Sequence, residues 1–338
     1  MTVTPAPAPI YRASGATWQI DSCRPQLAAI AAGKIVFHAL SHGAYPGVPL
    51  PPGELPQLSG VGHWTAAQPQ DWGLDAHRNE GVEICWLESG QLAFEADGKR
   101  HDLKPGALTL TRPWQLHKLG APHLAANRLH WLILDVGVRR PNQAWVWPAW
   151  VVLSPPDRDE LALRLRESDQ PVLHATPEIR TLFRRLALAV ENHPQASQTS
   201  HLAILINDIL WHLLEWLRRN PEIKPAGEAV LRERTVRLFL DDLARHPKHL
   251  GQPWSVKTMA AECGMGVTSF TAVAKACIGA TPMEWLADRR LEQAAKLLRQ
   301  EPGRAVTDIA MACGFSSSQY FATRFGRQFG CTPGQWRK

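Results

Sequence analysis

The chain has 338 residues, 37 Lys+Arg against 31 Asp+Glu, 45% hydrophobic residues and six cysteines. That length supports two or three domains with cores of their own, which excludes a small stapled fold. The cysteines (Cys23, Cys85, Cys263, Cys277, Cys313, Cys331) lack CxxC spacing and read as reduced thiols rather than a disulfide framework. The charge is uneven: residues 1–227 hold 21 basic and 21 acidic side chains, whereas residues 228–338 hold 16 and 10. The last third is therefore the candidate binder of a polyanion.

The chain opens on "MTVTPAPAPIYR", a Pro/Ala-rich stretch with neither the basic start nor the apolar core of a secretion signal; residues 1–14 read as a disordered arm. Residues 15–155 are rich in Gly, Pro and Trp and alternate in short runs. Ile84 and Trp86 alternate, as do Leu92 and Phe94, while "ADGKR" (Ala96 to Arg100) and "KPG" (Lys104 to Gly106) supply turns, so this is an antiparallel β region. From "LSPPDRDE" onward Leu161, Leu165, Ile179, Phe183, Leu186 and Val190 recur at helical spacing, giving a helical segment over residues 156–222. Within it, Leu202 to Leu217 is apolar around most of its circumference and must be buried in a core or against a second copy of the chain. Asn207, Asp208, His212 and Glu215 make it too polar for a membrane span, so a soluble, cytoplasmic protein is expected. "RRNPEIKPAGE" (Arg218 to Glu228) is a Pro-punctuated linker to a final domain over 228–338.

That domain contains one pattern twice. "MAAECGMGVTSFTAVAKACIGATPMEW" (Met259 to Trp285) aligns with "IAMACGFSSSQYFATRFGRQFGCTPGQW" (Ile309 to Trp336) at an offset of 50, becoming 51 after the turn. Cys263 and Gly264 face Cys313 and Gly314; Phe270 faces Phe321; Thr281, Pro282 and Trp285 face Thr332, Pro333 and Trp336. Each copy reads as helix, Gly-containing turn, helix, over about 256–278 and 306–329. In the second, Thr307 is the expected N-cap and "SSSQ" (Ser316 to Gln319) the expected capping box. At about 100° per residue, Phe321, Phe325 and Phe329 share one helix face and Gln319, Thr323 and Arg327 the other. The first copy likewise buries Phe270, Ala274 and Ile278, and turns Thr268, Ala272 and Lys275 outward with Ser269 and Thr271 beside them. Between the copies a connecting helix carries Trp285, Leu286, Leu291, Ala294, Ala295, Leu297 and Leu298 on its apolar side, together with Arg289, Arg290 and Lys296. Two such units at fixed separation match successive major grooves of double-stranded DNA, about 34 Å apart.

These residues resemble the DNA-binding domain of the AraC/XylS family of bacterial transcription regulators. The Ile-Ala, Gly-Phe, Tyr-Phe, Phe-Gly and Thr-Pro steps of the second copy and "DRRLEQAAKLL" (Asp288 to Leu298) carry the resemblance, which covers about residues 230–338. It implies a multidomain α+β protein with an all-α C-terminal domain of two helix-turn-helix motifs, binding DNA and not catalysing a reaction. Carried over by position, Thr268, Thr271 and Ala272 of the first motif and Ser318, Gln319, Ala322 and Thr323 of the second face the bases, with Ser269, Lys275, Arg324 and Arg327 adjacent. Family members often place Arg where this chain has Ala272 and Thr323, so two bidentate base contacts are missing. Readout then rests more on Gln319, the threonine hydroxyls, the neighbouring Arg324 and Arg327, and DNA shape.

The β region resembles a cupin-like sensor barrel through "HRNEGVEICWLESG" and "PGALTLTRPWQLH". The resemblance implies an effector pocket, and His77, Glu83, Trp86, Arg112, Trp114 and His117 are its candidate residues, with a carbohydrate as one natural effector. Metal-bearing cupins carry a His-x-His pair; here Asn79 stands at the second position, and no metal or other cofactor is expected. His77, Glu83 and His117 remain three donors around an open position, so a metal-dependent cupin enzyme with an accessory nucleic-acid module is the alternative. RNA polymerase and a second copy of the chain complete the partners to test.

Overall fold

The computed structural model describes residues 10–13, 16–19, 23–43, 45–120, 122–138, 140–193, 197–220 and 227–337. Residues 1–9 and 14 of the expected arm lie outside that set. The rest of the arm differs from expectation: β1 (Ile10–Ala13) pairs with β2 (Ala16–Gln19) as a two-stranded sheet. Residues 221–226 of the Pro-rich linker are likewise outside the described set. Apart from Ala13–Ala16, the chain divides into two units between Gly227 and Glu228.

In the first unit, α1 (Arg24–Ala31) precedes β3 (Val36–Ser41), β4 (Val48–Pro49), β5 (Leu58–Ala66), β6 (Leu74–His77), β7 (Val82–Gly90), β8 (Leu92–Ala96), β9 (Lys99–Leu103), β10 (Ala107–Thr111), β11 (His117–Leu119) and β12 (Asn127–Leu134). Then come α2 (Pro155–Glu167), β13 (Val172–His174), α3 (Pro177–Asn192) and α4 (Thr199–Arg219). A seven-stranded sheet runs β13-β10-β7-β12-β5-β3-β4 and a four-stranded sheet β6-β11-β8-β9. All pairings within them are antiparallel except β3–β4. The β8–β9 hairpin turns on Asp97 (φ 48) and Gly98 (φ 79), the double left-handed step a two-residue turn requires.

The sheets enclose one core, in which Trp64, Cys85, Leu87, Leu129 and Trp131 of the larger meet Leu74, Leu92, Phe94, Leu103 and Leu119 of the smaller. The outer face of the larger sheet is buried too, because α3 lies on β3, β5 and β7. Side chains alternate across a strand, so Glu83, Cys85 and Leu87 point between the sheets while Ile84 and Trp86 point towards α3. On that outer face the rings of His38, His63, His130 and Trp86 form a row across four strands, with neighbouring centroids 5.2, 5.5 and 4.8 Å apart; Phe183 of α3 lies 6.1 Å from both His130 and Trp86. α4 packs on α3 and α2, burying Leu202, Leu205, Ile209, Leu213 and Leu217 among others, while Ile204 and Trp211 stay exposed.

The second unit is helical: α5 (Gly227–Arg245), α6 (Pro247–Leu250), α7 (Val256–Glu262), α8 (Val267–Ile278), α9 (Pro282–Gln300), α10 (Val306–Ala312), α11 (Ser318–Phe329) and α12 (Pro333–Trp336). It holds two cores. Val236, Phe239 and Leu243 of α5 pack with Met259, Cys263, Phe270, Ala274 and Leu286. Leu291, Ala294 and Leu298 of α9 pack with Ile309, Cys313, Phe315, Phe321 and Phe325, and Phe329 and Trp336 close the edge. α9 thus gives one end to each core. It starts on a capping box between Thr281 and Glu284, which satisfies two of the otherwise orphaned first-turn donors.

Two expected caps are placed differently. α10 begins one residue before Thr307, on Ala305, and α11 is capped by Ser317, whose Oγ accepts from Tyr320 N at 3.2 Å. Gln319 is thereby the second helical residue, one short of the third position, from which a side chain would close a capping box on Ser317.

Candidate functional site

The two motifs are alike inside and differ outside. In each, the second helix buries aromatic or small residues, with Phe270 and Ala274 in α8 and Phe321 and Phe325 in α11 inaccessible to solvent. The opposite faces lie at the surface: Thr268, Ala272 and Lys275 are exposed with Ser269 and Thr271 half-buried, and Gln319, Ala322, Thr323 and Arg327 are exposed with Ser318 and Arg324 half-buried. Every candidate for base or phosphate contact therefore sits on one of two solvent-facing helix surfaces. Three are already engaged. Thr271 donates its hydroxyl to Val267 O at 2.8 Å, which leaves the oxygen as an acceptor. Gln319 Oε1 accepts from Ser317 and Ser318 at 3.0 and 3.3 Å, which leaves its amide donors facing out. Arg324 is held by Asp288 of α9 at 3.0 Å, so it braces the motif rather than standing ready as Arg327 does.

Arg290, carried by the connecting helix α9, has a role that its place in the sequence does not announce. It is 9% exposed. Its guanidinium donates to Leu250 O at 2.9 Å, Gln252 O at 2.5 Å and Gly314 O at 2.8 Å, tying the corner before the first motif to the turn of the second. Gly314 has φ +85, and a Cβ there would lie 2.7 Å from the Arg290 guanidinium carbon. The glycine serves both the turn and the brace.

In the β unit, a cavity of about 40 Å³ opens between the sheets. Phe37, Tyr45, Trp64, Leu74, Leu129, Trp131 and Ile133 form its apolar wall, and His77, Asn79, Glu83 and Cys85 its polar end. The volume suits only a few waters, so a larger occupant requires the wall to move. Glu83 is the polar focus: Asn79 Nδ2 and Thr111 Oγ1 donate to its Oε2 at 2.9 and 3.2 Å, and His117 Nε2 stands 2.9 Å from the same oxygen. The His77 and His117 rings are 4.1 Å apart. Burial opposes charge on both members of the pair, but the mutual contact outweighs it. The Glu83 carboxyl is held below its usual range, helped by His77, and the His117 imidazole above its own. Beside them Tyr45 donates to Glu80 at 2.6 Å and Ser59 to Glu80 at 2.8 Å, while burial pushes the Glu80 carboxyl up.

Three of the six sequence candidates, His77, Glu83 and His117, come together here. The other three do not. Trp86 points to the opposite face of its strand, under α3. Trp114 sits in a turn at φ 65 and donates to Val138 O at 2.8 Å. Arg112 is occupied by Asp97 at 2.8 Å and Ser168 O at 2.6 Å. Phe37, Tyr45, Trp64 and Cys85 were missed; counting two residues on from Glu83 would have placed Cys85 in the cavity and Trp86 outside it.

Comparison with known proteins follows the same division. A helix-turn-helix domain model matches residues 259–338, and an AraC-like ligand binding domain model matches residues 64–214. The regulator ExsA of Pseudomonas aeruginosa is 37% identical over 91 residues, 27% of this chain and 32% of that protein. The thermoregulatory protein LcrF of Yersinia pestis is 41% identical over 86 residues, 25% of this chain and 31% of that protein; the chain thus covers about a third of the length of these relatives. The transcriptional activator RhaR of Mannheimia succiniciproducens is 23% identical over 261 residues, covering 77% and 86% of the two chains. Among solved structures, the DNA-binding domain of AdpA in complex with a target DNA is 31% identical, covering 29% of this chain and 88% of its own, with a TM-score of 0.27.

Proposed function

Because the chain belongs to the AraC family, we propose that it is a sequence-specific transcription regulator that binds double-stranded DNA and answers to a small molecule held in its β unit. The observation that carries this reading is the pair of helix-turn-helix motifs sharing α9 and the Arg290 brace, each with its polar face turned to solvent. α8 and α11 enter successive major grooves; Thr268, Ser269, Thr271, Ala272, Ser318, Gln319, Ala322 and Thr323 face base edges, while Lys275 and Arg327 meet phosphates. Reading adenine bidentately costs Gln319 at least one serine hydrogen bond, because the contact uses its Oε1 as well as its amide. Arg324 acts through Asp288 to hold the α11 face in place.

The effector lies with its apolar body against Phe37, Trp64 and Trp131 and its polar end at His77, Asn79 and Glu83; a sugar ring on either Trp fits this lining. Its entry widens the cavity and so favours the arrangement that the ligand binds better. RNA polymerase and a second copy of the chain are the further partners, the copy seated on Ile204 and Trp211 of α4. Among the described residues no helix is long and apolar enough to cross a membrane, and the cytoplasm is the proposed location.

A rigid two-groove reader demands fixed half-site spacing. Inserting five or ten base pairs between the two half-sites of a footprinted operator should lower affinity at least about tenfold, since each groove contact contributes on the order of 1–3 kcal/mol. Unchanged affinity for either insertion would rule the reading out. The enzyme reading keeps one observation in its favour: donor atoms of His77, Glu83 and His117 lie within 4.8 Å of one another, and a metal there would supply Lewis-acid chemistry. Stoichiometric metal lost on Glu83→Gln would turn the assignment that way.

A further inference from the structure

The helical unit carries a second cluster of donor side chains, which DNA reading leaves unused. Asp242 is one helical turn before His246, where α5 ends; the chain turns there (φ -114, ψ 96) into α6, which brings His249 back over Asp242. His246 Nδ1 stands 2.9 Å from Asp242 Oδ1, and His249 Nδ1 stands 3.0 Å from Asp242 Oδ2. Donor atoms of all three lie within 4.8 Å of one another. Two imidazole nitrogens and one carboxylate oxygen suit zinc, whereas calcium and magnesium take shells of oxygen. Donors on a tetrahedral zinc with bonds near 2.0–2.1 Å stand about 3.3 Å apart, so opening the existing contacts slightly makes room for the ion. The side chains of Asp242 and His249 are each 11% exposed and that of His246 37%: two ligands are fixed and the third faces solvent, where water completes the shell. The ion pairs of Asp242 among the described residues are both with histidine, so no lysine or arginine neutralises it in place of a metal. Arg245 is the opposing positive charge felt by His246.

We propose that Asp242, His246 and His249 form a zinc-class divalent metal site that locks the joint between α5 and α6. The joint matters because the scaffold of both motifs hangs from it. His249 O accepts from Trp254 Nε1 at 2.8 Å, and Leu250 O and Gln252 O accept from Arg290, whose third bond reaches Gly314 of the second motif. An ion on His249 fixes the segment that Arg290 grips.

The test uses the full chain, stripped with chelator and titrated with Zn²⁺, and with Co²⁺ as a spectroscopic probe, beside the variants His246→Gln and Glu83→Gln. His246 is the most exposed ligand, so its replacement leaves the core packing intact. The expected result is one equivalent bound with cobalt d–d absorption, binding weakened by at least about tenfold in His246→Gln, and binding unchanged in Glu83→Gln. Zinc should also slow hydrogen exchange across residues 247–254 in the parent and not in His246→Gln. Metal retained by His246→Gln and lost by Glu83→Gln would belong to the His77–Glu83–His117 cluster and overturn the proposal. Binding that neither substitution weakens, or no binding at millimolar zinc, would overturn it as well.

Discussion

The β unit gathers its polar chemistry inside, where His63, His77, Glu80, Glu83, His117 and His130 are all buried; between Glu228 and Arg337 the buried polar side chains are Thr235, His249 and Arg290, and the candidate DNA-contacting groups lie at the surface. The difference follows from the layers. Two facing sheets separated by about 10 Å leave room for a cavity on whose edge polar groups converge, as Asn79, Thr111 and His117 converge on Glu83. The helical cores are filled largely by phenylalanines and aliphatic side chains, and the candidate DNA-contacting side chains lie on the outer faces of α8 and α11. The first arrangement suits the proposed reception of a small molecule, the second the proposed insertion into DNA.

This contrast can be broken at its cores first. Trp86→Ala in the β unit and Phe321→Ala in the helical unit should each destabilise by about 3–5 kcal/mol, and hydrogen exchange should show each loss confined to its own unit; a shared loss would mean that the two unfold as one. Arg290→Met should cost on the order of 3 kcal/mol, because it leaves the carbonyls of Leu250, Gln252 and Gly314 without their charged donor. Lysine at that position should recover only part, since one ammonium does not span three carbonyls as a guanidinium does. Urea midpoints of the variants check both.

Acid sharpens the comparison by its sign. Burial pushes His63 down to about 3 and His130 down to about 4. The unfolded chain, with its histidines near 6.5, binds more protons, so the stability of the β unit falls as pH drops from about 6.5 towards 4. In the helical unit Asp242 holds the His246 imidazole above its usual value; that contribution is full below about 6.5 and is lost as pH rises through the folded value. Exchange rates corrected for pH should lose protection in β5 and β12 at pH 5 while α5 keeps its own. The smallest effects separate the two motifs: Ser317→Ala removes the α11 cap for about 1 kcal/mol, whereas Gly266→Ser, placed where α8 has no side-chain cap, should gain a few tenths, both read from thermal midpoints.

The helical unit was legible because packing repeats its demands. A phenylalanine, a turn glycine and a Thr-Pro helix start recur at fixed offset, and rotation about the helix axis separates inward from outward residues without further information. Arg290 was not legible, since its partners lie 40, 38 and 24 residues away. In the β unit the cupin-like resemblance of two short stretches led to His77, Glu83 and His117. Trp86 was misjudged because its strand is buried on both faces, which erases the polar alternation that would have shown the side it takes. Trp114 was misjudged because its positive φ turns the ring away, and nothing in "RPWQ" announces that backbone.

In the proposed function, the outer faces of α8 and α11 read bases while the surrounding charge only attracts DNA. Selection from a random DNA library with the parent chain and with Gln319→Ala/Thr323→Ala, at two salt concentrations, tests it directly. The double substitution should flatten the selected consensus over one half-site, while affinity for unrelated DNA and its dependence on salt stay as they were. A consensus left intact, or an equal loss of affinity for every sequence, would contradict it.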